Sequence, residues 1–119
     1  MAEQQTYGSG GMGFIDGEFM PVSEIRLPVT DMGFQLSDMC YDAIHTYNGR
    51  FFRLEDHMDR WDRSLAANRY ETLGYDRDQV TEVLHRCVAR ADLQNSMVTF
   101  IATRGSPASG HKDLRTCKN

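Results

Sequence analysis

Apolar residues at Leu54, Met58, Trp61 and Leu65 recur at i, i+4, i+7 and i+11, the spacing that lays one stripe along a helix. This predicts an amphipathic helix from Glu55 to about Tyr70, with Glu55 and Asp56 in the first turn, where the helix dipole favours anions. Val80, Val83, Leu84, Cys87, Val88 and Ala91 form a second stripe, which predicts a helix over 77–91. Asp76 can cap it, with Gln79 three residues on to close a capping box. Thr72-Leu73-Gly74-Tyr75 is the turn between the two, and Glu82 to Arg86 adds a helical ion pair worth about 0.2 to 0.5 kcal/mol.

Elsewhere the pattern has period two. Asn48-Gly49 is a strong hairpin signal, because a type I′ turn needs positive φ at both central residues. It pairs Tyr41–Tyr47 with Arg50–Leu54, setting Ile44 opposite Arg53, His45 opposite Phe52 and Tyr47 opposite Arg50. Tyr41, Ala43, His45 and Tyr47 then share one strand face, which is too polar for plain core. Met97–Thr103 reads as a central strand with Met97, Thr99, Ile101 and Thr103 on one side. Asp16-Gly17 turns a first short hairpin that Pro21 ends; Ser23–Val29 continues as an extended edge stopped by Pro28, and Asp31–Asp38 is a loop or single turn. The expected fold class is α+β: a mostly antiparallel sheet with helices 55–70 and 77–91 on one face and the other left for a partner domain.

A length of 119 residues suits one domain with a real core. The 13 Lys+Arg and 17 Asp+Glu give a net charge of -4, and the basic residues are scattered, so no electrostatic footprint for nucleic acid or an anionic membrane exists. No apolar run approaches the roughly eighteen residues that span a bilayer. Cys40, Cys87 and Cys117 show no C-x-x-C spacing, which argues against a zinc site or disulfide framework and fits a reducing cytosol. Residues 1–12 read as a disordered lead, 13–105 as the α+β domain and 106–119 as a loop, with no closing element after it, as if the chain broke off inside something larger.

A phosphate-bearing ligand needs fixed cations, and arginine offers a planar fork that matches phosphate oxygens. Arg53 in the hairpin and Arg60 one turn into the first helix compete for such a role.

The ordered words D-x-G-x-x-x-S-D (31–38), Y-D (41–42), N-G-R-F-F-R-L-E-D-H-x-x-R (48–60) and T-R-G (103–105) resemble the first domain of fold type IV pyridoxal-phosphate enzymes, the class IV aminotransferase family. That family includes branched-chain and D-amino-acid aminotransferases, R-selective amine transaminases and aminodeoxychorismate lyase. The resemblance runs from about Gly13 to Asn119 and implies the small N-terminal domain of such an enzyme, with pyridoxal 5′-phosphate as cofactor. It assigns the cofactor phosphate to Arg60, the last residue of E-D-H-x-x-R.

The resemblance further implies that Tyr41, Ala43 and His45 line a face towards substrate, with sheet packing the competing role for His45, and that His57 is structural. Met97 and Thr99 match substrate-touching positions that in relatives are often an aromatic residue followed by a charged or polar one; neither is charged here, and Met97 also suits core filling. In the last loop His111, Lys112 and Arg115 are candidates to clamp a substrate carboxylate, Arg115 being best by chemistry.

Transamination needs a lysine to form the Schiff base and shuttle the proton. Lys112 and Lys118 are the two lysines here, both in the terminal loop, whereas relatives place theirs downstream in a second domain. The implied activity is amino-group transfer from an amino acid or amine to a 2-oxo acid by a homodimeric parent, with these residues inactive alone. A lyase of the same fold and a non-catalytic dimerising or binding remnant are the alternatives.

Overall fold

The computed structural model describes residues 10–70, 73–108 and 113–118. Strands β1 (Met12–Ile15) and β2 (Glu18–Pro21) form an antiparallel hairpin turned at Asp16 and Gly17, both at positive φ. This hairpin is a two-stranded sheet of its own. It is held to the body by aromatic contacts, Phe14 to Tyr75 at 5.7 Å between centroids and Phe19 beneath the Arg90 guanidinium at 4.4 Å.

The main sheet runs β4 (Arg50–Phe51), β3 (Met39–Tyr47), β5 (Ser96–Thr103), all antiparallel. Cys40, Asp42, Ile44 and Thr46 of β3 turn towards helices α2 (Leu54–Ala67) and α3 (Arg77–Ala91). Ile44 and Met58, fully buried, meet Trp61, Leu84, Phe100 and Ala102 in the core, so both predicted helical stripes face one side of the sheet. The Asp76–Gln79 capping box forms, as does the Arg86–Glu82 pair at 2.7 Å. No helix among the described residues is long and apolar enough to cross a membrane.

Two predicted elements differ, and the turn expected over 31–38 takes a helical form. Strand β4 is two residues long, because Arg53 sits at φ 57 and α2 begins at Leu54; Phe52 N still donates to His45 O at 2.9 Å, but Ile44 gains no partner at Arg53. No strand follows Ser23: Val22–Glu24 is a 3-10 turn, and the Arg26 guanidinium donates to the Ser23 and Ile25 carbonyls that a ladder would use. Met32–Leu36 forms a five-residue helix, α1, where Asp31 Oδ1 accepts from Gly33 N (2.8 Å) and Phe34 N (3.2 Å) and Ser37 ends the turn at φ 57.

Candidate active-site wall and anion anchor

Among the described residues, one face of the sheet is left open. Cross-strand pairs Tyr41↔Ile101, Ala43↔Thr99 and His45↔Met97 stack in three rows on it, so four predicted substrate residues, Tyr41, His45, Met97 and Thr99, lie together. Tyr41 is 67% exposed and Met97 57%, values foreign to core residues of that size. His45 stacks on Tyr47 at 6.1 Å, and Tyr47 meets Phe52 edge-on at 6.1 Å.

Arg60 lies across β3 from that face, in α2. Its fork closes on Asp42, Nε to Oδ2 at 2.7 Å and Nη2 to Oδ1 at 2.8 Å, while His57 Nδ1 lies 2.7 Å from the same Oδ1. Asp42 is 3% exposed, so this carboxylate is withdrawn from water and compensated by its two partners. Hydrogen bonding from Arg60, joined by His57, holds its pKa at about 2 against the desolvation that would raise it. The Arg60 side chain is 58% exposed, and among the described residues nothing accepts from its Nη1. The geometry is a guanidinium fixed from behind with donors turned outward, a set that fits phosphate oxygens. Strand β4 pairs with β3 at Thr46 and Tyr47, and Phe52 N extends the cover to His45 O, so among the described strands none pairs with β3 on that side at Asp42.

Asp42 is the residue that sequence reasoning passed over. Its signal was present: an acid in a strand whose even positions are otherwise Cys40, Ile44 and Thr46 must find a cation, and His57 and Arg60 stand one helical turn apart.

The remaining motif words interlock at the other end of the sheet. Thr103 Oγ1 donates to Asp31 Oδ2 at 2.7 Å, and Met32 N donates to Gly105 O at 2.9 Å, so D-x-G docks on T-R-G. A Cβ on Gly33 would stand 2.6 Å from Thr103 Cγ2, which explains the glycine. Arg104 reaches Asp38 Oδ2 at 3.0 Å and the Asn68 carbonyl at 2.8 Å while covering the Tyr70 ring at 4.3 Å. Its hydrogen bond lowers the Asp38 pKa, and burial pushes the Tyr70 hydroxyl up.

Arg115, the predicted carboxylate clamp, is in a 3-10 turn over Leu114–Thr116, 90% exposed, with its fork on Asp113 at 2.6 Å. His111 and Lys112 lie outside the described residues. Lys118 is in a bridge with Ser106, past the end of β5 at Thr103 in the chain. A shallow groove beside the hairpin turn, lined by Gly49, His85, Val88, Ala89, Asp92, Leu93 and Gln94, includes none of the candidate residues.

A sheet whose described residues leave one aromatic face bare, with an arginine locked to a buried acid on the other, defines one domain of a class IV aminotransferase: the family model for amino-transferase class IV matches residues 39–118, and the chain belongs to that family. Among curated relatives it is 30% identical over 98 residues to the D-alanine aminotransferase of Staphylococcus haemolyticus, covering 82% of this chain and 34% of that protein. The D-alanine aminotransferase of Listeria monocytogenes is 28% identical over 91 residues, 76% of this chain and 31% of that protein. The chain thus spans about a third of the length of these relatives.

Among solved structures, the T.th. branched-chain amino acid aminotransferase, complexed with N-(5′-phosphopyridoxyl)-L-glutamate, superposes with a TM-score of 0.77 at 20% identity, over 91% of this chain and 37% of that one. The Thermoproteus uzoniensis branched-chain aminotransferase with norvaline gives 0.70 at 20% identity, over 86% of this chain and 35% of that one. These likenesses establish the expected fold: the N-terminal domain of that class.

Proposed function

We propose that this chain is the phosphate-anchoring, substrate-facing domain of a pyridoxal-phosphate aminotransferase that moves an amino group from an amino acid or amine to a 2-oxo acid. The observation that carries the reading is Arg60, gripped by buried Asp42, 58% exposed, and with no acceptor at Nη1 among the described residues. Bound pyridoxal phosphate supplies the carbonyl carbon that receives the amino group and the ring that takes up the electron pair released at the substrate carbon.

The residues of this chain do the holding. Asp42 fixes the plane of the Arg60 fork, and His57 shares the carboxylate, so Arg60 meets a phosphate without losing side-chain freedom at that moment. Tyr41, His45, Met97 and Thr99 form the wall against which the substrate side chain packs and from which water is displaced. Arg115 would exchange Asp113 for the substrate carboxylate, a like-for-like bidentate swap. In this reading the proton-moving lysine is supplied by polypeptide outside these residues, as the family resemblance implies, and Lys118 belongs to neither β3 nor β5. Domain 13–105 with its 106–119 loop then works beside a second domain, in a homodimer of the cytosol, and these residues alone do not turn over.

Two results test this. Pyridoxal phosphate and an amino donor mixed with the chain should yield no sustained keto acid; steady production would overturn the division of labour. In a protein carrying this domain together with the lysine, Arg60→Ala should cost about 1.5 to 3 kcal/mol of cofactor affinity, and unchanged affinity would remove Arg60 from the site.

A further inference from the structure

Arg104, one residue past β5, makes a second junction between α2 and the start of β3. Its backbone N–H donates to the Asp38 carbonyl at 3.0 Å. Its guanidinium donates to Asp38 Oδ2 at 3.0 Å and Oδ1 at 3.3 Å, to the Asn68 carbonyl at 2.8 Å and to the Arg69 carbonyl at 3.2 Å. The same group covers the Tyr70 ring, and the Tyr70 hydroxyl donates to Asp38 Oδ1 at 2.8 Å. Asn68 is the C-cap of α2, so the fork closes the carbonyl end of that helix, where a cation also meets the negative pole of the dipole.

The first junction is Arg60 on Asp42. The two have matching spacings: Arg60 to Asn68 spans about 12 Å of helix, and Asp42 back to Asp38 spans about 13 Å of extended chain. α2 therefore runs antiparallel to β3 with an acid–arginine clamp at each end of the shared stretch. Apolar packing between the clamps is uneven. Met58 and Trp61, the buried residues of α2, lie in its first two turns, and beyond them Leu65 is partly buried against the core. Such contacts hold the helix down without fixing its place along its own axis, since burial is non-directional. Hydrogen bonds are directional, and a binding group needs its geometry held to within about 0.5 Å.

We infer that Arg104 is a positioning residue for Arg60: by clamping the carbonyl end of α2 to Asp38 it sets the axial place of the helix, and so the geometry in which the Arg60 fork meets Asp42 and turns its outer donors to an anion. The part this plays in cofactor binding rests on the reading of Arg60 as the phosphate anchor; the mechanical coupling does not.

The test is NMR of the full chain with isotope-labelled arginine, following exchange with water of the Arg60 Nε proton that Asp42 accepts, before and after addition of pyridoxal phosphate. Arg104→Ala should speed that exchange roughly three- to tenfold, the factor set by the net worth of one hydrogen bond, and weaken the response to pyridoxal phosphate by a similar factor. Arg104→Lys should fall between, because a single ammonium does not reproduce the fork that serves Asp38 and both carbonyls. Asp76→Ala, which removes the cap of α3, should lower the unfolding midpoint and leave the Arg60 proton as it was. Unchanged Arg60 exchange in Arg104→Ala, or an equal acceleration in Asp76→Ala, would overturn the inference and leave Arg104 a general stabiliser. If Arg104→Ala fails to fold, Arg104→Lys decides, and exchange equal to that of the unsubstituted chain overturns it. The phosphate reading fails separately: if pyridoxal phosphate leaves Arg60 unmoved in the unsubstituted chain while Arg104→Ala still speeds its exchange, the anchor is wrong and the positioning stands.

Discussion

Replacing Asp42 by Asn removes the charge that fixes Arg60 while keeping nearly the same volume. Hydrogen bonding from Arg60, joined by His57, holds the Asp42 carboxyl at about 2, below its ordinary 3.8. At about 1.36 kcal/mol per pH unit, that difference is worth about 2.4 kcal/mol as an upper value. Arg60 is 58% exposed, so water screens the pair and the stabilisation is reduced to about 1 to 2.4 kcal/mol. The sign follows from the depressed pKa: the contribution is complete above the unfolded value near 3.8 and is lost as pH falls towards 2. Urea denaturation of both proteins at neutral pH and through the acid range reads it directly. Asp42→Asn should be less stable by about 1 to 2.4 kcal/mol at pH 7, and the gap should narrow steadily below pH 4. Other lowered carboxylates, Asp38 and Asp113, remain in both proteins and cancel in the difference. Equal stability at pH 7, or a gap that persists unchanged at pH 2, would refute the reasoning.

Gly33→Ala should destabilise by about 1 to 3 kcal/mol, because its Cβ would stand 2.6 Å from Thr103 Cγ2 and 2.8 Å from Asp31 Oδ1; thermal unfolding checks it, and an unchanged midpoint would mean that α1 shifts freely. Met58→Ala, at a fully buried core position, should lose about 2 to 5 kcal/mol in the same assay. Asp76→Ala deletes the capping box of α3 and should cost about 0.5 to 2 kcal/mol, seen as a lower urea midpoint, with earlier amide exchange confined to the first turn of that helix.

The parts of the fold most legible in the sequence are those governed by local chemistry. The α3 helix begins and ends where its stripe and Asp76 cap place it, because both cap and apolar face act within one element. The Asn48-Gly49 turn fixed the hairpin register at Tyr47 and Arg50 for the same reason. What the pattern missed depended on contacts distant in sequence. A turn over 31–38 was legible, but a five-residue helix has no periodicity to announce it, and the docking of its Asp31 cap on Thr103, 72 residues away, lies beyond the pattern. Strand β4 stopped early because Arg53 takes a left-handed backbone, a conformation that composition does not foretell for arginine.

The candidate site divides in the same way. Alternation along β3 and β5 was enough to bring Tyr41, His45, Met97 and Thr99 to one face. Arg60 came from the family resemblance, while its partner Asp42 and the buried side of that pair emerged only once the helix was seen against the sheet.

The central claim is that Asp42 holds Arg60 as an anchor for a phosphate, and side-chain NMR of labelled arginine in this chain tests it most directly. On titration with pyridoxal phosphate the Arg60 Nε and Nη signals should move, pyridoxal without its phosphate should leave them still, and Asp42→Asn should weaken the response. Arg60 signals that ignore both compounds, or that answer equally to the one lacking phosphate, would contradict the account.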